Sequence, residues 1–174
     1  SSIGNAVNDF GHVTGAYHDG SIFRAFRWDG STVIDLGPNG WLSSQGNALN
    51  SSGVVVGNGQ HPTSTSSFVH DGTSAAPLGP SPDLTSAEGL NDAGQVVGHS
   101  KDPSAGGANA FRLDGSGMTV LGTLGGSYSL AYGINESGHL AGYSQTAAGN
   151  TEAYWWDGTT MTGLGTAGGV NSYG

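Results

Sequence analysis

One eight-residue pattern, Asn-x-x-Gly-x-Val/Leu-x-Gly, occurs four times along the chain and constrains the fold more than any other feature. Its copies span residues 8–15, 50–57, 91–98 and 135–142, so successive starts lie 42, 41 and 44 residues apart. A fixed period of about 20 to 50 residues is typical of arrays whose repeats bury apolar surface only against their neighbours. We therefore predict a single repeat domain, 1–174, with repeats at approximately 2–43, 44–84, 85–128 and 129–171, and with 172–174 starting a further repeat phase.

The residues of the pattern predict a tight turn between two short strands. An asparagine side chain can bond its own backbone two residues on, and glycine adopts the left-handed conformation without a steric penalty. Each repeat also carries an Asp-Gly pair, which is a strong hairpin signal. These pairs stand at 29–30, 71–72, 114–115 and 157–158, and each is followed by a closing Leu-Gly. Four short strands are therefore predicted in every repeat.

Four-stranded antiparallel sheets repeated around an axis make a β-propeller. Small residues recur in the first strand of each repeat, where strands crowd near an axis, and large aromatic residues recur in the third. Trp28 and Trp156 share one such third-strand position, and we expect both to be packing residues. The predicted fold is all-β, a β-propeller of four four-stranded blades of 41–44 residues; the alternative is a segment of a larger propeller or another β-repeat array.

Charge and composition exclude several classes of partner. The net charge is −9, with only four Lys and Arg residues, so no basic surface can follow a phosphate backbone and nucleic-acid binding is excluded. No apolar run approaches the roughly 20 residues that span a bilayer, so membrane insertion is not expected. Cysteine is absent. The richness in Ser, Thr, Gly and Asn favours an extracellular or cell-surface location, with any signal peptide already absent from this chain.

No catalytic residue is predicted. Seven of the 13 acidic residues fall in the recurring turns, and no Gly-x-Ser-x-Gly nucleophile motif occurs. The six histidines show no metal-ligand spacing, so we predict no metal site and no cofactor. Calcium is the alternative, because the Asn- and Asp-rich turns resemble calcium loops; they lack the alternating Asp run of such loops.

Ligand-binding candidates come from positions that differ between otherwise similar repeats. Variable loops on a rigid scaffold commonly carry binding residues, and the connection between the second and third strands varies most. Trp41 has no counterpart in the other repeats, and Trp155 stands where they carry Arg or Val, so both are expected to be exposed. The complete set of candidates is Trp41, Trp155, Arg27, Arg112, His12 and His139. In a closed ring of four, His12 and His139 would lie on adjacent blades.

Two joined signatures resemble the HAF family of extracellular repeats. One is Ala131-Tyr-Gly-Ile-Asn-Glu-Ser-Gly-His-Leu-Ala-Gly-Tyr-Ser144; the other is Ala110-Phe-Arg-Leu-Asp-Gly with Met118-Thr-Val-Leu-Gly-Thr-Leu-Gly-Gly126. The resemblance covers essentially the whole chain, and the second repeat departs from it most, at Val69-His70 and Pro80-Ser-Pro82. It implies a bacterial secreted or surface-exposed protein, with no enzymatic activity and no catalytic residues to transfer.

The sequence therefore predicts a non-enzymatic extracellular binding or adhesion module. Its expected partner is a glycan or another cell-surface ligand, bound through the loops between blades as in a lectin. One alternative is a structural repeat protein that self-associates into a surface layer, filament or spacer. Another is a hydrolase with its site at the mouth of the propeller.

Overall fold

A computed structural model describes residues 1–37, 40–78, 85–101 and 107–174. These residues form sixteen strands and contain no helix. The strands are β1 (Ser2–Val7), β2 (Val13–His18), β3 (Phe23–Trp28), β4 (Val33–Asp35), β5 (Ser43–Leu49), β6 (Val55–His61), β7 (Ser64–His70), β8 (Ala75–Pro77), β9 (Thr85–Leu90), β10 (Val96–Lys101), β11 (Ala108–Asp114), β12 (Gly117–Val120), β13 (Gly125–Ile134), β14 (Leu140–Thr146), β15 (Thr151–Trp156) and β16 (Met161–Gly163).

The sixteen strands form four sheets, each made of four consecutive antiparallel strands. Each sheet is one blade, as the repeat predicts, and the fold is a β-propeller. The fourth blade begins earlier than the predicted boundary, because β13 starts at Gly125 rather than near residue 129. The Asn-x-x-Gly turn joins the first two strands of every blade, and its glycine is left-handed in all four copies, with φ between 75° and 78°. The predicted turn chemistry is confirmed.

The hydrophobic core lies between blades and not within them. Three clusters of buried side chains occur in the described residues, one for each pair of consecutive blades. In the first cluster, Ala25 and Leu36 of the first blade pack against Val55 and Phe68 of the second. Side chains alternate between the two faces of a strand, so each blade has a forward face towards the next blade and a back face towards the previous one.

The four blades form an open arc. The first strand of each later blade packs across the inner strands of the blade before it, but no comparable packing joins the first and fourth blades in the described residues. Strand β1 is exposed along its length except at Ala6, whereas Leu49 of β5 and Ala131 of β13 are buried. Of the arrangements left open by the sequence, the structure shows an unclosed run of four blades.

The asparagine of the repeat joins neighbouring blades as well as closing its own turn. Its Oδ1 accepts a hydrogen bond from the backbone N–H four residues on, at 2.9–3.0 Å in all four blades. Its Nδ2 donates to the backbone carbonyl of the next blade's asparagine, from Asn8 to Asn50, from Asn50 to Asn91 and from Asn91 to Asn135. The sequence predicts the first role but gives no sign of the second.

The last glycine of the pattern permits close contact between the first two strands of a blade. A Cβ added at Gly98 would overlap the carbonyl oxygen of Ser86, and equivalent overlaps occur at Gly15, Gly57 and Gly142. The first strand bulges beside this contact, between Gly4 and Ala6 in the first blade. Glycine is therefore required by the bulged pairing of the two strands.

Replacing Asn91 with alanine should destabilise the protein by roughly 2 to 4 kcal/mol, because it removes several hydrogen bonds at a side chain that is only 2% exposed. The control is Ala93→Ser, an exposed substitution in the same turn that introduces the residue found at Ser52 and Ser137. Urea unfolding of both variants measures the difference. Equal stability of the two variants would contradict the bridging role of the asparagine.

Gly98→Ala should lower the free energy of unfolding by about 1 to 3 kcal/mol, since the new Cβ forces the two strands apart. Gly133 offers a matched control, because a Cβ there has no atom within 4 Å and its φ is not positive. In thermal and urea unfolding, Gly98→Ala should have a clearly lower midpoint than Gly133→Ala. A Gly98→Ala protein as stable as its control would show that the bulged contact is not constrained.

Candidate functional site

A cleft of about 410 Å³ lies between the first and second blades. Ile3, Ala16 and Phe23 line it from the first blade. By strand alternation these three side chains share the forward face. The opposite wall is formed by β5, β6 and β7 of the second blade and includes Ser44 and Gly59. We call this cavity the interblade cleft.

The interblade cleft exists because a small residue occupies one repeat position. Ala16 stands where the later blades carry Asn58, His99 and Tyr143. In the second blade the larger side chain fills the equivalent space, since the Asn58 amide bonds Ser86 and the backbone N–H of Ala87 in the third blade. An alanine side chain cannot make such hydrogen bonds, so a gap remains between the first and second blades beside Ala16.

The cleft combines apolar surface with free hydrogen-bonding groups. Phe23 is 40% exposed and Ile3 is 58% exposed. The side chains of Gln60 and Thr65 make no hydrogen bond to other described residues, whereas the Ser44 hydroxyl is already bonded by the backbone N–H of Ala25. An aromatic ring beside amide and hydroxyl groups suits a ligand that has both an apolar face and hydroxyl groups.

Trp41 is a packing residue, so the expectation that it is exposed is wrong. Its ring meets Phe68 edge-on, with centroids 5.9 Å apart, and it packs against the cluster between the first two blades.

The opposite holds for Trp28, which is 37% exposed although packing was expected, because no blade covers the back face of the first blade. Trp156, at the same repeat position, is 4% exposed and confirms the expectation for the fourth blade.

The two candidate arginines are engaged within the protein. Arg27 Nη1 donates to the carbonyl of Gly53 in the next blade at 2.7 Å. Arg112 lies 3.2 Å from the carboxylate of Asp114, and its guanidinium stacks 5.1 Å from the Trp156 ring of the next blade. Both side chains therefore serve contacts between blades.

His139 and Trp155 lie together, as edge-on rings 5.3 Å apart, in a depression of about 270 Å³ on the forward face of the fourth blade. Trp155 is 41% exposed, as expected. His12 lies on the first blade, 6.3 Å from Phe10 between ring centroids. His12 and His139 were expected on adjacent blades only in a closed ring, and the described residues do not form one.

Sequence reasoning missed a polar network between the second and third blades. The Glu88 carboxylate accepts hydrogen bonds from Asn47, Asn58 and Ser86. His99 lies close enough for the Glu88 charge to act on it, but burial dominates and lowers the pKa of His99. One repeat position varies between blades, and the residues there are Ala16, Asn58, His99 and Tyr143. This variation was the sequence signal that could have indicated a contact between blades at this position.

A tyrosine cluster on the fourth blade was also missed. The Tyr143 ring contacts Tyr128, Tyr132 and Tyr173, with centroids 5.1–6.3 Å apart. Burial, together with the hydrogen bond to Tyr143, raises the pKa of Tyr132. The four rings together form an aromatic surface on this blade.

In the described part of the chain, no group of three or more His, Asp or Glu side chains is placed to hold a metal ion. Among these described residues there is also no helix long and apolar enough to cross a membrane. Four carboxylates instead close the Asp-Gly turns, where hydrogen bonds lower their pKa values. At Asp29 the hydrogen bond from the N–H of Thr32 contributes most and lowers the pKa to about 2. The pKa is also lowered at the other three turn aspartates, which are Asp71, Asp114 and Asp157.

Comparison with known proteins supports the fold. Neither a protein-family model nor a curated protein matches the chain. Several solved structures do match. TolB from Acinetobacter baumannii is 15% identical in sequence and superposes with a TM-score of 0.71, and the match covers 94% of this chain and 43% of TolB. The β-propeller domain of the Trilobed protease from Pyrococcus furiosus matches at 14% identity and a TM-score of 0.64, over 97% of this chain and 55% of that one.

A third match is the acylaminoacyl peptidase of Pyrococcus horikoshii, at 17% identity and a TM-score of 0.64, over 97% of this chain and 27% of the peptidase. The chain thus spans about half or less of the length of these structures. The fold that the chain forms is a run of four β-propeller blades. At these identities the likeness concerns the fold alone, and the resemblance to HAF repeats stays a prediction.

The turn carboxylates predict a loss of stability in acid. A carboxyl with a depressed folded-state pKa stabilises the fold above its ordinary value of 3.8, and this contribution is lost as the pH falls towards the folded value, about 2 for Asp29. Urea midpoints should therefore fall between about pH 4 and pH 2. A variant with all four turn aspartates changed to asparagine keeps the acceptor oxygens but has no carboxyl to titrate there, so its urea midpoint should fall less over this range. If the variant and the original protein showed the same pH dependence, the turn carboxylates would not be the cause of the acid sensitivity.

Proposed function

We propose that the protein is a non-enzymatic binding module that takes a glycan in the interblade cleft. The observation that carries the proposal is the cleft itself, where an exposed aromatic ring lies near amide and hydroxyl groups that have no hydrogen-bond partner among the described residues. A pyranose ring has an apolar face that stacks on an aromatic side chain and hydroxyl groups that bond amides. The residues that line this cleft belong to strands of the two blades, and none of the six candidates named from the sequence is among them.

Each wall of the cleft has a separate part in this proposal. Phe23 supplies the stacking surface, and Ile3 extends it. Gln60 and Thr65 supply donors and acceptors at the opposite side, where they belong to neighbouring strands of one sheet. Ala16 leaves the space that the sugar occupies. A location outside the cell, where such a module meets glycans, forms part of the same proposal.

The proposal also explains why hydrolysis is the less favoured activity. The Glu88 carboxylate is held by three donors in the network between the second and third blades. Glycoside hydrolysis ordinarily needs a pair of carboxyl groups on either side of the scissile bond. No acidic residue lines the interblade cleft in the described structure.

Ala16→Tyr should abolish glycan binding, because it introduces the residue found at Tyr143 and fills the cleft. Phe23→Ala should weaken binding about tenfold, the effect of losing one stacking contact of about 1.4 kcal/mol. A glycan array identifies the ligand, and titration calorimetry of the hit measures the affinities. The controls are Ala16→Ser, which keeps the residue small, and Val120→Ala, an exposed apolar residue of the third blade.

The absence of any glycan hit would contradict the proposal. Binding that is unchanged in a folded Ala16→Tyr variant would equally contradict it, by placing the ligand elsewhere. Circular dichroism and thermal unfolding of each variant establish that the fold is kept.

A further inference from the structure

Inside the arc, each turn of the repeat is held by the blade before it. The turn of the second blade receives two bonds from the first blade, from Asn8 Nδ2 to the Asn50 carbonyl and from Arg27 Nη1 to the Gly53 carbonyl. The turn of the fourth blade receives a bond from Asn91 Nδ2 to the Asn135 carbonyl, and the Gln95 amide lies beside Gly138. The repeat asparagine therefore holds the next turn at both interfaces, and the positions of Arg27 and Gln95 each add a contact at one of them.

On the fourth blade these three positions are Asn135, His139 and Trp155, and no turn of another blade lies against them in the described structure. They line the depression of about 270 Å³, which we call the turn seat. Asn135 Nδ2, whose counterparts all bond the next blade, has no hydrogen-bond partner among the described residues. The turn seat is thus one half of an interface that the protein builds three times internally.

The first blade presents the other half. Its turn carries Phe10, which is 71% exposed, and Asp9, whose carboxylate has no hydrogen-bond partner in the described structure. On its back face, Val13, Phe26 and Trp28 line a groove of about 240 Å³. The equivalent residues of the other blades are core residues, among them Val55, Phe68, Val96, Phe111, Leu140, Tyr154 and Trp156.

Exposed apolar surface is concentrated on these two blades. Of the thirteen large hydrophobic residues exposed in the described structure, Ile3 and Phe23 line the interblade cleft. Nine others belong to the first blade, the fourth blade or the residues that follow it; they are Val7, Phe10, Trp28, Val33, Tyr132, Trp155, Leu164, Val170 and Tyr173. The two middle blades, covered on both faces, contribute little to this set. An exposed apolar surface of this kind marks an interaction site.

We propose that the first blade of a second copy of this chain docks on the fourth blade, with its turn in the turn seat and Phe10 against Trp155 and His139. The contact continues the internal interface. Asn135 Nδ2 bonds the Asn8 carbonyl, as each earlier asparagine bonds the next. The Asp9 carboxylate accepts from the N–H of Glu136, as Asp92 accepts from Ser51 and Glu136 from Asp92.

The last residues of the chain compete for part of this surface. Ala153 N–H donates to the Ser172 hydroxyl, just as Ala25 and Ala110 donate to Ser44 and Ser129 at the start of the next blade. Residues 172–174 therefore occupy the place that Ser2–Gly4 of the second copy takes. Docking requires them to leave, so a variant lacking 172–174 should associate more tightly than the full chain.

The contact is head-to-tail, since it joins two different surfaces. Such contacts close into a ring when the rotation allows and otherwise form longer assemblies. The net charge of −9 on each copy opposes association, so salt should favour it. Sedimentation velocity of the full chain, over a wide concentration range in high salt, should show concentration-dependent dimers or larger head-to-tail assemblies.

Two substitutions test the contact from opposite sides. Phe10→Asp and Trp155→Asp should each raise the dissociation constant at least about tenfold, whereas Val120→Asp, on an exposed part of the third blade, should leave it unchanged. An equimolar mixture of the Phe10→Asp and Trp155→Asp chains should recover association. Each mixed pair retains one intact contact, between Trp155 of the first chain and Phe10 of the second.

Three results would overturn the proposal: a monomer at all concentrations and salt levels, equal weakening by Val120→Asp, or failure of the mixture to recover association. Failure of the variant lacking 172–174 to associate more tightly would overturn it as well. Phe10 is a surface residue of a turn, so its substitution leaves the folded core intact and the test does not depend on a damaged protein.

Discussion

Burial of one blade's back face against the forward face of the blade before it is the interaction on which the rest of the structure depends. A four-stranded sheet of about 40 residues has too little apolar surface to be stable alone. Its core residues, such as Phe68 and Phe111, lie in the clusters that join one blade to the next. The stability of each blade is therefore coupled to its neighbour, and the two end blades are only half covered.

The repeated asparagine sets the alignment of that packing. Hydrophobic contact is non-directional, so it does not determine how far one blade slides over the next. The chain of bonds from Asn8 through Asn50 and Asn91 to Asn135 joins equivalent points of successive turns and fixes the level at which the blades meet. With the blades aligned in this way, one small residue, Ala16, is enough to open a cleft between two of them.

The fold was predictable from the sequence because its determinants are local. Turn chemistry at the Asn-x-x-Gly and Asp-Gly pairs, repeated at a constant period, predicts the strands and the blades. The candidate site was predicted less well. Trp41 stands out in sequence but packs against Phe68, because exposure depends on how blades meet and not on uniqueness along the chain. The cleft at Ala16 arises from an absent side chain, and the exposure of Trp28 arises from the open arc; no local pattern reveals either.

Native-state hydrogen exchange in dilute solution tests the open, interblade-stabilised arc most directly. Amides of β1, which lies in a blade uncovered on its back face, should exchange at least about tenfold faster than those of β5 and β13, whose blades pack on a preceding blade. Equal protection of β1, β5 and β13 in a monomeric sample would contradict the account, because it would require the first blade to be covered by the fourth.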